Sequence, residues 1–168
     1  GISVTPLHAV MAGAAMVNGG ILYQPSLRKV GLPVGERVIS AKTSAELRAM
    51  MRAVVASGTG RQANVPGYQV LGKTGSAEKP QAGGYNTDAL VTSFLGAFPA
   101  HAPRYAMLVM LDEPQATADT HGYKLAGWNA APAAAEIVRR IAPLLGVLPH
   151  FENPDEQAAL ALPTPAQD

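Results

Sequence analysis

Two hydrophobic periods alternate along the chain. Thr5-Pro6 places a hydroxyl N-cap before a proline at the first helical position. Small and apolar residues then run to Val17, and Gly19-Gly20 stop them. With Ala9, Ala12, Gly13, Ala14 and Ala15 and few bulky side chains, this helix is expected to be buried against another element. Thr43-Ser44-Ala45-Glu46 reads as a capping box, a hydroxyl followed three residues later by a carboxylate. Leu47, Met50, Met51, Val54 and Val55 follow at helical spacing, with Arg48 and Arg52 off the stripe and Ser57-Gly58-Thr59-Gly60 as the stop. Asn129 caps a last helix with apolar Ile137, Val138, Ile141, Leu144 and Leu145, ended by Gly146.

Between the helices the pattern shortens. Residues 21–23 and 27–30 read as short strands around Gln24-Pro25-Ser26, with Val38-Ile39 as another candidate. Residues 68–74, 91–98 and 105–111 read as an antiparallel meander, joined by a polar, Gly-rich loop at 78–88 and a turn at 99–103. The third of these strands is almost wholly apolar and is expected to be central. Residues 112–124 read as loop. The order helix, short strands, helix, three antiparallel strands, helix gives an α+β class, an antiparallel sheet flanked by helices. Residues 1–150 carry the ordered pattern; 151–168, rich in Pro, Asp, Glu and Ala without period, are expected to be a disordered tail.

Composition narrows the function classes. The chain has 168 residues, enough for one domain with a real core. Net charge is +1, from 13 basic and 12 acidic residues, which argues against broad electrostatic capture of nucleic acid or anionic membrane. With no cysteine, a disulfide framework, a thiolate metal site and a cysteine nucleophile are excluded. The longest apolar run, around residues 9–17, falls well short of the ~20 residues a spanning helix needs. Charged residues make up 15 %, below the usual ~25 %, so either the surface is unusually apolar or part of it faces something else. His8, His101, His121 and His150 lack metal-ligand spacing and read as surface histidines; no metal or cofactor is expected. Arg139-Arg140 reads as a solvated helix face, and Trp128 as packing the start of the last helix onto the sheet.

Three short motifs could carry chemistry. Gly67-Tyr68-Gln69-Val70-Leu71-Gly72-Lys73-Thr74 fits the phosphate-loop pattern. Its inner residues favour an extended strand, and Gly75 and Pro80 follow where a helix would have to begin, so nucleotide binding is rejected. Ser26-Leu27-Arg28-Lys29 fits Ser-x-x-Lys, the nucleophile motif of penicillin-recognising enzymes. That motif needs a helical turn to bring lysine to serine, and Gly31 and Pro33 leave no room for one, so an exposed hairpin is expected. Lys73-Thr74-Gly75-Ser76 differs. On an extended strand Thr74 and Ser76 point to one face, where both hydroxyls can donate to one anionic group. Lys73 adds positive charge, and Gly75 allows close approach of a substrate backbone. By itself the motif fits a solvated strand end as well as a carboxylate-recognition edge.

In context it resembles the Lys-Thr-Gly strand of class B penicillin-binding proteins. The resemblance is carried by Gly1-Ile2-Ser3-Val4-Thr5-Pro6-Leu7, Asn18-Gly19-Gly20, Pro66-Gly67-Tyr68, Gly72-Lys73-Thr74-Gly75-Ser76-Ala77, Ser93-Phe94-Leu95-Gly96-Ala97-Phe98-Pro99, Arg104-Tyr105, Asp112-Glu113-Pro114 and Ala130-Ala131-Pro132, in family order from residue 1 to about 149. It is strongest for the division-specific, monofunctional branch.

The resemblance implies the C-terminal part of a transpeptidase domain of the penicillin-binding/serine β-lactamase-like fold. Such enzymes cross-link peptidoglycan stem peptides through an acyl-serine intermediate, and β-lactams acylate the same serine. Lys73 would hold the proton network and electrostatics of the cleft. Thr74 and Ser76 would bind the terminal carboxylate, beside Gly75, and the backbone N–H of Ser76 would be one oxyanion-hole donor. Tyr85 and Asn86 fall on the segment after the motif, which borders the cleft in the family; as residues they read as solvent-exposed loop. Ser-x-Asn is absent and the serine nucleophile is not in this chain, so the 168 residues alone are expected to be inactive. Expected partners are the stem peptide, β-lactams, the upstream half of the domain and other division proteins. The expected location is the periplasmic face of the inner membrane, anchored through an upstream segment. A carboxypeptidase, a β-lactamase or a non-catalytic β-lactam sensor or peptidoglycan-binding module of the same fold are the competing readings.

Overall fold

A computed structural model describes residues 3–29, 31 and 33–151. The tail expected after residue 151, Val30 of the expected strand at 27–30, and Gly1 and Ile2 of the resemblance lie outside them. The chain forms helix α1 (Pro6–Val17), strands β1 (Ile21–Tyr23) and β2 (Gly35–Arg37), helix α2 (Ala41–Ser57), strands β3 (Leu71–Gln81), β4 (Gly84–Phe98) and β5 (Tyr105–Asp112), and helix α3 (Ala130–Leu144). Single 3₁₀ turns at Arg61–Ala63 and Ala126–Trp128 sit before β3 and α3. The α+β class and the meander stand. No helix of the described residues is long and apolar enough to cross a membrane.

α1 begins as its sequence requires: the Thr5 side chain accepts from the His8 N–H and Pro6 takes the first turn. Its small residues do bring it close to the sheet, where a Cβ on Gly13 would stand 2.7 Å from the Leu95 side chain. Its burial is incomplete, however. Gly13, Ala15 and Val17 are covered, whereas Leu7 is 52 % exposed, so the expectation of a buried helix holds for its C-terminal half alone.

α2 starts three residues earlier than the capping-box reading places it. Ser40 is the cap and accepts from the Thr43 N–H at 3.0 Å. Ser44, read as part of that box, is instead wholly buried. It donates to the Met16 carbonyl and accepts from the Gly19 N–H, satisfying backbone groups left over at the end of α1. The buried stripe of α2 is Ser44, Met51 and Val55, while Met50 points outward. Arg52 reaches the β3 side and donates to the Val70 carbonyl at 2.9 Å.

The expected partner strand for β1 is displaced. β1 pairs antiparallel with β2, Leu22 opposite Glu36, and neither residues 27–29 nor Val38-Ile39 join a ladder. Ser26 closes a local turn with Arg28, through bonds to its N–H and carbonyl.

In the main sheet the strand order is β3-β4-β5, so β4 is central and β5 is an edge, against expectation. α1 and α3 both pack against β5, yet its apolar residues are only half-buried and Met110 is exposed. β3 starts at Leu71, not at Tyr68, because Gln69 adopts a positive φ of 46° and its carbonyl accepts from the Ala100 N–H. It also runs on to Gln81, turning back at Ala82-Gly83, so the expected loop at 78–88 is a hairpin extension with a register shift between Glu78 and Lys79.

Residues opposed across an antiparallel ladder share a face. Gly72, Thr74 and Ser76 oppose Gly96, Phe94 and Thr92, and this face lies under α3. Phe94 is fully buried, its ring lying over Gly72 and Gly96; a Cβ on Gly96 would sit 2.5 Å from it. α3 meets this layer with Ala130, Ala131, Ala134, Val138 and Ala142, which permits a close approach. Ile137 and Leu144, read as core positions, are 39 % and 85 % exposed, since bulk on this interface comes from the sheet's phenylalanines. Asn129 ties the layers together: its Oδ1 accepts from Ala130 N–H and Thr92 Oγ1, and its Nδ2 donates to the Lys124 carbonyl. Gly146 ends the helix at φ 67°. Half-buried Phe151 packs beside Gly67, and the adjacent His150 N–H bonds the Gly67 carbonyl.

Candidate active site

β3 pairs on one side only, so alternate backbone groups along its other edge are free of the ladder. Lys73, Thr74, Gly75 and Ser76 stand on this edge, within regular pairing to Leu95, Phe94, Ser93 and Thr92. Thr74 and Ser76 line a surface cavity of about 650 Å³, walled by Gly58, Thr59, Arg61 and Gln62 on one side and by Leu125–Trp128 on the other. Thr74 Oγ1 lies 2.9 Å from Thr59 Oγ1. Ser76 Oγ accepts from the Ala126 N–H at 3.1 Å. Lys73 belongs to the opposite face by register, but its ammonium curls back to the Thr74 carbonyl at 2.8 Å and lies 3.4 Å from Thr74 Oγ1. A cation, two hydroxyls and an open strand edge therefore converge. The arrangement suits an anionic group presented by an extended chain, and a Cβ on Gly75 would stand 2.8 Å from Ser93 Oγ.

The motif's surroundings are held by polar clasps. Lys79, at the register shift of β3, reaches across to the end of β5, 2.6 Å from Asp112 and 2.7 Å from Glu113. Its hydrogen bonds to Asp112 and then Glu113 raise its pKa above the ordinary lysine value. Trp128 stacks on Tyr123, with centroids 5.1 Å apart, and meets the His121 ring edge-on. The turn it ends meets α3 and strands β3 and β4, and its ring also packs the preceding loop beside the cavity. Tyr68, below the motif, has its pKa raised by burial.

A family model for the penicillin binding protein transpeptidase domain matches residues 1–139. The chain belongs to this family. Among curated relatives, the probable peptidoglycan D,D-transpeptidase FtsI of Caulobacter vibrioides is 43 % identical over 159 residues, covering 88 % of this chain and 27 % of that protein. Stage V sporulation protein D of Bacillus subtilis is 40 % identical over 162 residues, covering 89 % and 24 %. The chain spans about a quarter of the length of these relatives. Of solved structures, the apo transpeptidase domain of Burkholderia pseudomallei penicillin-binding protein 3 superposes with a TM-score of 0.80 at 34 % identity, covering 90 % of this chain and 45 % of that one. Mycobacterium tuberculosis penicillin-binding protein 3 complexed with ampicillin superposes with a TM-score of 0.76 at 33 % identity, covering 92 % and 37 %.

The sequence-predicted residues of this transpeptidase segment fall into two groups. Lys73, Thr74, Gly75 and Ser76 come together at one strand edge. Tyr85 and Asn86 lie instead at the start of β4, opposite Pro80 and Lys79 and away from the cavity lining. The four histidines are exposed, and among the described residues no cluster of histidine and carboxylate could hold a metal. Arg139 and Arg140 both face Glu136 on their own helix. Thr59 and Ala126 line the cavity and hold its hydroxyls, while Asn129 fastens the start of α3 to Thr92 behind them; none of the three carries a sequence signal for this. Thr59 sits in a segment that reads as a helix stop, Ala126 acts through its backbone, and Asn129 reads only as a cap.

Proposed function

We propose that this chain supplies the Lys-Thr-Gly wall of a serine D,D-transpeptidase that cross-links peptidoglycan stem peptides and is acylated by β-lactams. The observation that carries the reading is Lys73-Thr74-Gly75-Ser76 on the free edge of β3, with both hydroxyls lining one cavity. Thr74 and Ser76 donate to the carboxylate that ends the stem peptide or that a β-lactam carries. Lys73 supplies positive charge and joins the proton network around the reacting serine. The backbone N–H of Ser76 serves as one of two oxyanion-hole donors, a contribution typically of about 100-fold or more in rate. Gly75 lets the peptide backbone close on the strand.

The nucleophile comes from outside these 168 residues. Neither Ser-x-x-Lys of the chain makes the helical turn the motif needs: Ser26 spends its hydroxyl on the local turn with Arg28, and Ser76-Ala77-Glu78-Lys79 lies extended on β3 with Lys79 held by Asp112 and Glu113. The same upstream part of the domain covers the exposed side of α1, where Val4 and Leu7 stand 59 % and 52 % accessible. Division proteins are further partners, and the site works at the periplasmic face of the inner membrane through an upstream anchor.

Labelling with a fluorescent penicillin tests this. The complete protein is expected to be labelled covalently, its Lys73→Ala variant to lose at least about 100-fold in acylation rate, and the 168 residues alone to remain unlabelled. Stable labelling of the isolated chain, or parental labelling of Lys73→Ala, overturns the assignment. A complete protein that is labelled but transfers no acyl group to an amine is a β-lactam sensor instead.

A further inference from the structure

The two cavity hydroxyls are backed differently. Ser76 Oγ accepts from the Ala126 backbone N–H, a donor fixed in direction by the 3₁₀ turn it begins. The Ser76 proton is thereby left for a ligand. Thr74 has no such backbone donor. Its neighbour is the Thr59 hydroxyl at 2.9 Å, and either oxygen of that pair can donate. Lys73 Nζ, 3.4 Å from Thr74 Oγ1, can only donate. When an anion enters the cavity, Thr74 must turn its single proton toward it, and its oxygen then accepts from behind, at long range from Lys73 and at short range from Thr59. Thr59 can become that donor by rotation of two O–H bonds, with no heavy atom moving.

Thr59 is placed for this by its backbone. It follows Gly58, the C-cap of α2, and precedes Gly60, whose N–H bonds the Val54 carbonyl. Its own carbonyl lies against Gly127, where a Cβ would come within 2.8 Å. One residue therefore touches both walls of the cavity, β3 through its side chain and the turn before α3 through its carbonyl.

We propose that Thr59 is a positioning residue for the anionic end of the ligand: it donates to Thr74 Oγ1 so that the Thr74 proton is aimed at the carboxylate. This rests on the transpeptidase reading. The test is a double-mutant cycle in the complete protein, measuring acylation by a carboxylate-bearing penicillin as a function of its concentration. Thr59→Val is expected to raise the half-saturating concentration about 5- to 10-fold, the cost of one weakened bond to a charged group, with the limiting rate little changed. Thr59→Ala, run beside it, should match the valine variant, and Thr59→Ser should stay within about 2-fold of the parent because it keeps the hydroxyl. On a Thr74→Val background Thr59→Val should add nothing, since its effect passes through Thr74. Three results overturn the inference while leaving the transpeptidase reading intact: parental kinetics in Thr59→Val, an equal defect in Thr59→Ser, or multiplying effects of Thr59→Val and Thr74→Val. A parental protein that is not acylated at all overturns both.

Discussion

The two faces of the main sheet are built differently. Beneath α3, Phe94, Val138, Ala130, Ala131 and Ala134 are completely buried and belong to one continuous cluster that extends to Val55, Val65 and Val70. On the α1 side the buried cluster is Val17, Met51, Leu71 and Ala97, and beyond it Val4, Leu7, Leu22 and Tyr23 are exposed. The motif strand divides its residues between these faces. Thr74 and Ser76 stand over the closed face, and their hydroxyls are held by Thr59 and Ala126. Lys73 and Gly75 lie on the open face. The two cavity hydroxyls thus rest on a fully buried layer, while Lys73 springs from the opposite face and brings its ammonium round to the Thr74 carbonyl.

The sharpest way to break this contrast is to hollow the closed face. Phe94→Ala removes the ring lying over Gly72 and Gly96 and should cost about 3–5 kcal/mol in a urea titration of the chain. Leu7→Ser, on the exposed side of α1, should stay within about 0.5 kcal/mol. Similar losses in the two variants would show that the faces are equally built.

A smaller effect is expected where the cavity walls meet. Gly127→Ala places a Cβ within 2.8 Å of the Thr59 carbonyl, a backbone atom that cannot swing aside. Overpacking of this kind should cost about 1–3 kcal/mol. It should also displace Thr59 and raise the half-saturating penicillin concentration of the complete protein, as is expected of Thr59→Val. Full stability with unchanged acylation would show that the wall yields freely.

How far the sequence discloses this division depends on the kind of signal. Helix ends marked by chemistry were legible: Thr5-Pro6, Asn129 and Gly146 act as read. The α2 start was not, because Ser40, Thr43 and Ser44 are all credible caps, and the choice fell to tertiary contacts that use Ser44 to close α1. Strand position was misread for a related reason. An apolar run such as β5 reports apolar contact on its faces, which packed helices supply, and says nothing of whether both its edges are paired; its residues are only half-buried. The polar segment at 78–88 lacks apolar alternation, yet cross-strand pairing carries it as a hairpin. At the site, period two puts Thr74 and Ser76 on one face with Lys73 beside them, and the resemblance to the Lys-Thr-Gly strand singles the motif out. Ala126 was invisible because its contribution is a backbone N–H, which any residue but proline could offer. Thr59 was invisible because nothing local says that a residue after a helix stop will meet a strand fifteen positions on.

The smallest expected effect concerns the clasp between β3 and β5. Lys79 holds Asp112 and Glu113 together at the far end of the motif strand, and these contacts raise its pKa above the lysine norm of 10.5. For a group whose folded pKa is raised, the stabilisation is complete below the unfolded value and is lost as pH rises through the folded one. The clasp should therefore be intact at neutral pH and weaken above about pH 10.5. Tyr68, whose pKa burial also raises, contributes a loss in the same alkaline range and with the same sign. A single melting curve in alkali therefore cannot separate the two, but Lys79→Met can. Because Lys79 is solvent-accessible, its share should be small, about a few degrees at most in melting temperature. At pH 7 the variant should melt below the parent, and the gap should begin to close above pH 10.5, where the unfolded lysine loses its charge, and vanish once the folded lysine does too. A gap that stays constant from pH 7 to 12 would mean that Lys79 acts through its hydrocarbon stem. The strand end would then be held by packing, as the closed face is, and not by charge.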